Sequence, residues 1–260
     1  METLKILAVG DVVRTCGVEY LAGGKLRRLR DILGAQLVIV NGENSSHDNG
    51  LSPDSAAALL EAGADVITGG NHTLRRRDIG PFLDDHANVL RPANYPGDAP
   101  GCGYTITDCA GRRALVLNLA GTTFMEPLDS PFKVADHILS ANAGRYDFAV
   151  VDIHAEATSE KLCLARYLDG RAAVVFGTHT HVPTADAQVL PGGTGYITDL
   201  GMTGSMNGIL GVKTECVLHK FLQRTPVYFA SAEGDCAAQG ALFTIDPATG
   251  RCTGVERMDF

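Results

Sequence analysis

Five apolar runs in this chain each stop at a short segment rich in oxygen and nitrogen donors, and that repetition limits the folds open to it. Ile6 to Gly10 ends at Asp11, Leu37 to Asn41 empties into Gly42-Glu43-Asn44, and residues 65–70 lead into Asn71 and His72. Phe148 to Ile153 ends at His154, and Ala172 to Gly177 leads into Thr178-His179-Thr180-His181. Short, continuously apolar runs read as strands covered on both faces. With helical patterns between them, the expected core is a largely parallel sheet. In such sheets the reactive crevice lies beyond the carboxyl ends of the strands, so donors spread from position 11 to position 181 are expected to meet there.

The rest of the chain follows in the same way. Strand 4–10 is followed by a helix expected over 18–33, with Leu21, Leu26, Leu29 and Ile32 as its apolar stripe. Strand 36–41 leads to a loop containing Asn49-Gly50 and a helix near 53–63, begun by Ser52 as N-cap and Pro53 as first helical residue; strand 65–70 comes next. Short strands at 88–91, 103–108 and 113–119, separated by Gly and Pro, indicate an antiparallel or mixed region. Helices near 131–143 and 158–169 flank the His154 strand. Strands at 186–190, 194–199, 226–232 and 238–245, with a short run near 252–258, close the chain. The sum is an α/β sandwich of two mixed sheets flanked by helices. Without a compositional break, an internal repeat or a low-complexity tract, residues 1–260 are expected to form one domain.

The 260 residues are 45% hydrophobic and 20% charged, enough to bury a full core, and carry a formal charge of -8. That charge argues against a broad grip on long nucleic acid, which needs Lys and Arg to neutralise phosphates. It leaves room for a small phosphorylated ligand, because a metal supplies positive charge locally. The segment Met1 to Val13 is broken by Asp11 and lacks a small-residue cleavage site, so neither a signal peptide nor a membrane span is expected and the cytoplasm is the expected compartment. Seven cysteines without a Cys-x-x-Cys pair fit reduced thiols rather than disulfides or a thiolate zinc site.

Each donor segment alone has a bland explanation. A strand-end Asp11 commonly caps the next turn, and Asn41-Gly42-Glu43-Asn44 could be turn chemistry. His179 and His181 are harder to dismiss, because alternate residues of an extended backbone face the same way and two imidazoles are costly to bury without partners. All five segments together point to a metal site. His86, His137 and His219 fall on helical stretches and read as structural or surface residues; His47 reads as a loop histidine.

Carboxylate, amide oxygen and imidazole without thiolate suit manganese, iron, zinc or cobalt and exclude haem and iron–sulfur centres. Seven candidate ligands (Asp11, Glu43, Asn44, Asn71, His154, His179 and His181) exceed what one tetrahedral ion uses. Two ions sharing a carboxylate is the economical solution, with Glu43 as the bridge. Paired cations bind phosphate and activate water, so phosphoester hydrolysis is the expected chemistry.

The ordered set Gly10-Asp11, Gly42-Glu43-Asn44, Gly70-Asn71-His72, His154 and Gly177-Thr178-His179-Thr180-His181 resembles the calcineurin-like metallophosphoesterases across most of the chain. Val13 stands where that superfamily has a first-motif His, Glu43 replaces an Asp, and Thr178 is inserted before His179. These departures, with Asn-Gly-Glu-Asn at 41–44 and the segment Thr198 to Gly204, resemble the bacterial YmdB-like subfamily. The resemblance implies a dinuclear phosphodiesterase holding two divalent or trivalent ions, iron foremost with manganese, zinc or magnesium as alternatives, that opens 2′,3′-cyclic nucleotides and forms dimers or tetramers. It assigns Asp11, Glu43, Asn44 and His181 to one ion, and Glu43, Asn71, His154 and His179 to the other.

That resemblance leaves His72 free as the general acid. The mechanism it implies is in-line attack by a metal-bridging hydroxide, with His72 protonating the departing ribose oxygen. Gly-rich residues 201–211 could bring backbone N–H groups to a phosphate, and Arg14 could contact one, though a connection and a solvated side chain are the plain alternatives. Two rival functions stay open: a metallophosphatase acting on phosphomonoesters, and a non-catalytic regulator that senses metal or nucleotide. A metal-dependent amidohydrolase also uses a His-x-His pair, but after the first strand of a barrel rather than a late one.

Overall fold

Along the first strand, β1 (Leu4–Val9), Ile6 and Ala8 pack toward a second sheet while Leu7 and Val9 pack toward helices. That two-sided burial is why the run shows no alternation. The computed structural model describes residues 3–260; the first two residues of the amino-terminal segment lie outside the described residues.

The first sheet has the order β2 (Asp11–Val12), β11 (Met202–Ser205), β12 (Cys236–Asp246), β1, β3 (Leu37–Asn41), β4 (Val66–Thr68), with β13 (Arg251–Asp259) paired to β12. The second has the order β5 (Tyr104–Cys109), β6 (Arg112–Ala120), β7 (Phe148–His154), β8 (Val174–Thr178), β10 (Gly195–Ile197), β9 (Gln188–Val189). In both, parallel pairs form the centre: β1, β3 and β4 in one, β6, β7, β8 and β10 in the other. Antiparallel pairs complete them, β12 against β1 and β13, and β5 against β6. Both sheets are therefore mixed, and helices cover their outer faces.

Three apolar layers hold this arrangement. Ile6, Ile39, Val150, Phe176 and Phe243 interdigitate between the sheets, with the Phe176 and Phe243 rings 6.3 Å apart. Helices α1 (Arg14–Ala22), α2 (Lys25–Leu33) and α3 (Pro53–Ala62) cover the first sheet through Leu21, Leu26 and Leu59. Helices α5 (Pro131–Ala141) and α6 (Thr158–Tyr167) cover the second through Ile138 and Leu164. Between these helix sets in the chain comes a short helix, α4 (Ile79–Asp85), and after them α7 (Thr214–Gln223), which buries no side chain.

Several expected elements differ. The helix expected over 18–33 is two helices broken at Gly23-Gly24, because Gly24 takes a left-handed φ of 80°. Within the second helix Leu26, Leu29 and Leu33 share the apolar face, and Ile32 falls off it, 80% exposed. Segment 88–91 forms only isolated bridges at Val89 and Leu90, and 226–232 is irregular apart from a bridge at Ser231. Residues 202–205 of the Gly-rich stretch form a strand, whereas either a phosphate-contacting loop or a plain connection was open there. Gly10 explains that strand's position: a Cβ there would lie 2.2 Å from the Gly201 carbonyl oxygen.

Candidate metal centre

Asp11 follows β1 and is held by backbone contact with the late part of the chain: the Gly10 N–H donates to the Gln239 carbonyl (2.8 Å) and the Asp11 N–H to that of Gly201 (3.2 Å). Glu43 and Asn44 follow β3, where the Asn41 side-chain oxygen accepts the Glu43 N–H (3.2 Å). Asn71 and His72 follow β4 through Gly69-Gly70, a turn fixed by the Asn118 and Thr73 oxygens, which accept the two glycine N–H groups at 2.9 and 2.7 Å. His154 ends β7, and His179 and His181 follow β8.

All these segments meet at the same end of the two sheets. Glu43, His154 and His179 place one ligand-type atom each within 4.8 Å of one another. His154 Nε2 lies 3.0 Å from Asn71 Oδ1, 3.0 Å from His179 Nδ1 and 3.2 Å from Glu43 Oε1. One ring nitrogen cannot make three hydrogen bonds, so this is a shell of donors around a common point. A second group adjoins it. Asn44 Nδ2 lies 2.7 Å from Glu43 Oε1 and 3.3 Å from His181 Nε2, which is itself 3.4 Å from Asp11 Oδ1. Glu43 Oε1 is common to both groups.

Two features fit these groups to cations. Asp11 Oδ1 is buried without a hydrogen-bond partner among the described residues, a condition that ordinarily costs about 1–3 kcal/mol. The His154 tautomer is also set. Thr178 Oγ1 donates to Asp152 Oδ1 (2.7 Å) and so accepts from His154 Nδ1 (2.9 Å), which leaves the Nε2 lone pair facing the donor shell. Gly70 makes room for this packing, since a Cβ there would lie 2.3 Å from the His154 ring and 2.4 Å from Glu43 Oε2.

The electrostatics show the same demand for positive charge. Burial works to raise the Glu43 carboxyl, but the His154 and His72 imidazoles overcome it and hold it well below the usual carboxylate range. Asp11 is likewise lowered, burial being outweighed by His181 and His154. Burial opposes the His154 imidazolium, yet Glu43, Asp11 and Asp152 raise it to about 9. Burial and that neighbouring charge push His179 down to about 4. A cation at the common point competes with the His154 proton for the same carboxylates and requires neutral imidazoles.

His179 and His181 converge differently from expectation. They lie beyond the strand and both have left-handed backbones, φ 99° and 63°, rather than alternating along an extended one. Such conformations cost on the order of 1–3 kcal/mol each and persist only where surroundings dictate them. Here Asp199 accepts both the N–H (3.1 Å) and the hydroxyl (2.8 Å) of the intervening Thr180, and Asp11 Oδ2 accepts the His179 N–H (3.1 Å).

His72 sits at the wall of a cleft of about 620 Å³ that opens over the donor groups. Its Nδ1 lies 3.1 Å from Asn44 Oδ1 and 3.4 Å from Glu43 Oε1, which orients the ring, while its Nε2 has no protein partner among the described residues. Arg14 uses its guanidinium on the carbonyls of His47 (2.5 Å) and Phe229 (3.3 Å). Of the stretch 201–211, Leu210 lines the cleft, as does Val212 just beyond it, but no run of backbone N–H groups does.

The sequence did not single out Glu156, Asp152 or Lys161, which also shape the site. Glu156 Oε2 pairs with His179 Nε2 (3.1 Å), Asp152 and Thr178 orient His154, and Lys161 forms a buried ion pair with Asp199. Glu156 and Asp152 flank His154 by two residues each, which is a usable signal; Lys161 gives none, being one polar residue in a helical pattern.

Comparison with known proteins adds independent information. Residues 7–258 match the family model described as YmdB-like protein. The chain is 44% identical over 255 residues to the Bacillus subtilis (strain 168) protein named 2′,3′-cyclic-nucleotide 2′-phosphodiesterase, covering 98% of this chain and 96% of the relative. A Thermus thermophilus crystal structure, described as a hypothetical protein, superimposes with a TM-score of 0.92 at 39% identity and 99% coverage of both chains. A Mycoplasma pneumoniae structure described as a novel phosphatase gives the same TM-score at 31% identity, covering 100% of this chain and 94% of its own.

Proposed function

The chain belongs to the YmdB-like family, and on that premise we propose that it is a metal-dependent phosphodiesterase that opens 2′,3′-cyclic nucleotides at a dinuclear centre. The observation that carries this reading is the sharing of Glu43 Oε1 between two donor groups, one with Asn71, His154 and His179, the other with Asp11, Asn44 and His181. Iron heads the choice of metal, with manganese, zinc or magnesium as alternatives. Bound cations would supply positive charge to the phosphate and lower the pKa of a water.

The protein's own residues do the rest. Asn44 presents Nδ2 toward Glu43 and His181 and Oδ1 toward His72. To hold a metal through its oxygen Asn44 would turn that amide over, so that its NH2 would donate to His72 Nδ1 and leave Nε2 as the proton-bearing atom. His72 delivers that proton to the leaving ribose oxygen, the role of a positioned imidazole. Glu156 holds His179 by its outer nitrogen, and Asp152 through Thr178 does the same for His154.

The test is metal analysis of the purified protein with assays on 2′,3′- and 3′,5′-cyclic nucleotides, a generic phosphodiester and a monoester. Two ions per chain, a preference for the 2′,3′-cyclic substrate and loss of activity in Glu43→Ala and His72→Ala are expected. Fewer than two ions under metal-replete conditions removes the dinuclear reading, and preference for the monoester favours a phosphatase. The cytoplasmic and homo-oligomeric readings are supported respectively by seven unpaired thiols and by the exposed Leu218, Phe221 and Leu222 on α7. Among the described residues, no helix is long and apolar enough to cross a membrane.

A further inference from the structure

A second cavity of about 330 Å³ opens directly off the metal cleft, and Arg14, Asn49, Arg75 and Phe229 line both. Its far wall carries Asp48, Arg76 and Tyr228. The three arginines differ in what they face. Arg14 is bonded to two carbonyls, and Arg76 makes a two-pronged pair with Asp78 at 3.1 and 2.7 Å. Arg75 makes no side-chain hydrogen bond or ion pair among the described residues, although it stands at the junction of the two cavities. Its position is set by the 3₁₀ turn Thr73–Arg75, which starts at His72 and packs against Gly50.

The aromatic pair is equally unusual in its setting. Tyr228 is 71% and Phe229 40% exposed, yet both are anchored: the Tyr228 hydroxyl donates to Asp48 Oδ1 (3.2 Å), and Arg14 holds the Phe229 carbonyl. Fixed, solvent-facing rings beside a cation form a platform on which a base stacks.

We propose that Arg75, Tyr228 and Phe229 form a subsite for a nucleotide joined to the substrate's 5′ oxygen, so that the preferred substrate is a 2′,3′-cyclic phosphate ending a short oligonucleotide. The inference rests on the phosphodiesterase reading above and goes beyond it. A cyclic mononucleotide carries one anionic group, and the metal-binding donors claim it. Arg75 therefore answers a second anion. On a ribose whose 2′ and 3′ oxygens are in the cyclic diester and whose C1′ carries the base, only the 5′ oxygen remains to bear one. A 5′-phosphate monoester would satisfy Arg75 alone, whereas a preceding nucleotide also occupies the rings. The chain's charge of -8 keeps the contact to an end rather than a long strand.

The test compares kcat/KM of the metal-loaded full chain for adenosine 2′,3′-cyclic phosphate, its 5′-phosphorylated form, and the dinucleotide ending in the same cyclic phosphate. Wild type should favour the dinucleotide over the mononucleotide by about tenfold or more, the scale of one charge-assisted hydrogen bond. Arg75→Ala should bring both 5′-phosphorylated substrates to within a few-fold of the mononucleotide. Tyr228→Ala should lower only the dinucleotide. Binding of adenosine 5′-monophosphate against adenosine, followed by calorimetry, reads the subsite without turnover, and Arg75→Ala should reduce that difference about tenfold. Equal kcat/KM for all three substrates in wild type, or a preference unchanged in Arg75→Ala, overturns the subsite. Hydrolysis of none of the three, with the calorimetric difference intact, instead overturns the phosphodiesterase reading and leaves an anion subsite.

Discussion

Lys161 Nζ and Asp199 Oδ2 lie 2.7 Å apart with neither side chain exposed, and the same oxygen accepts from Thr180 between His179 and His181. The pair thus ties α6 to the strained turn that presents two imidazoles. Lys161→Met leaves the carboxylate buried without its cation and is expected to destabilise the protein by about 3–5 kcal/mol. Urea unfolding of the two proteins checks this; a change within about 1 kcal/mol, the scale of an ordinary substitution, would show that the pair is not needed.

Gly70→Ala tests the crowding at the donor shell. A methyl group 2.3 Å from the His154 ring and 2.4 Å from Glu43 Oε2 must displace one of them, while the φ at this position needs no glycine. The variant is expected to keep its far-ultraviolet circular dichroism and to hold fewer metal ions than wild type, measured by elemental analysis after dialysis. Full metal content would mean the shell tolerates the shift.

Thr178→Val removes the hydroxyl between Asp152 and His154 Nδ1. Burial raises the Asp152 carboxyl to about 6 even with its hydrogen bonds from Thr68, Thr178 and Asn41. Losing this link is expected to weaken metal affinity about 10- to 100-fold, the usual effect of losing an outer partner of a ligating histidine. Competition against a fluorescent chelator measures it.

Metal removal should lower stability by mass action. Ions at about 100 times their dissociation constant contribute about 2.7 kcal/mol for each site, which chelation withdraws. Thermal unfolding with and without chelator should show a lower midpoint in the chelated protein, restored by added metal, and Glu43→Gln should respond less than wild type. Identical midpoints in wild type would count against any metal at this site.

Alkaline pH should unfold the protein partly through Tyr196, which is fully buried with its hydroxyl 2.8 Å from Thr198 Oγ1. Burial raises its phenol from 10.0 to about 12. Because the folded value is raised, the contribution is complete below about pH 10 and lost as pH rises from there through about 12. In Tyr196→Phe the urea midpoint should fall less steeply over that interval; an unchanged slope would exclude this residue as a cause.

What the sequence disclosed followed from strand burial. Runs covered on both faces are continuously apolar, so β1, β3, β7 and β8 stood out, and the donors just after them could be assembled before any coordinates. The apolar, aromatic composition of 226–232 suits a strand and misled, since only Ser231 finds a bridge partner, Val212. In the opposite sense, the strand at 202–205 was less visible because a short Gly-containing stretch takes its conformation from neighbours such as Gln239. The left-handed turns at His179 and His181 were hidden for the same reason: Asp199 and Lys161 impose them from distant positions. Arg75 and Tyr228 were overlooked because a cation or a ring acquires meaning only from the cavity it faces.

The place of β12 in the first sheet has a consequence for biosynthesis. Residues 236–246 supply the antiparallel partner of β1, and the Gln239 carbonyl fixes Gly10 beside Asp11. All seven donor residues, the last at position 181, leave the ribosome before that strand does. A nascent chain therefore displays all seven candidate ligands while the sheet that aligns the first of them is still open at one edge. The alignment of Asp11 with the other six candidate ligands thus waits for residues 236–246 to join the sheet.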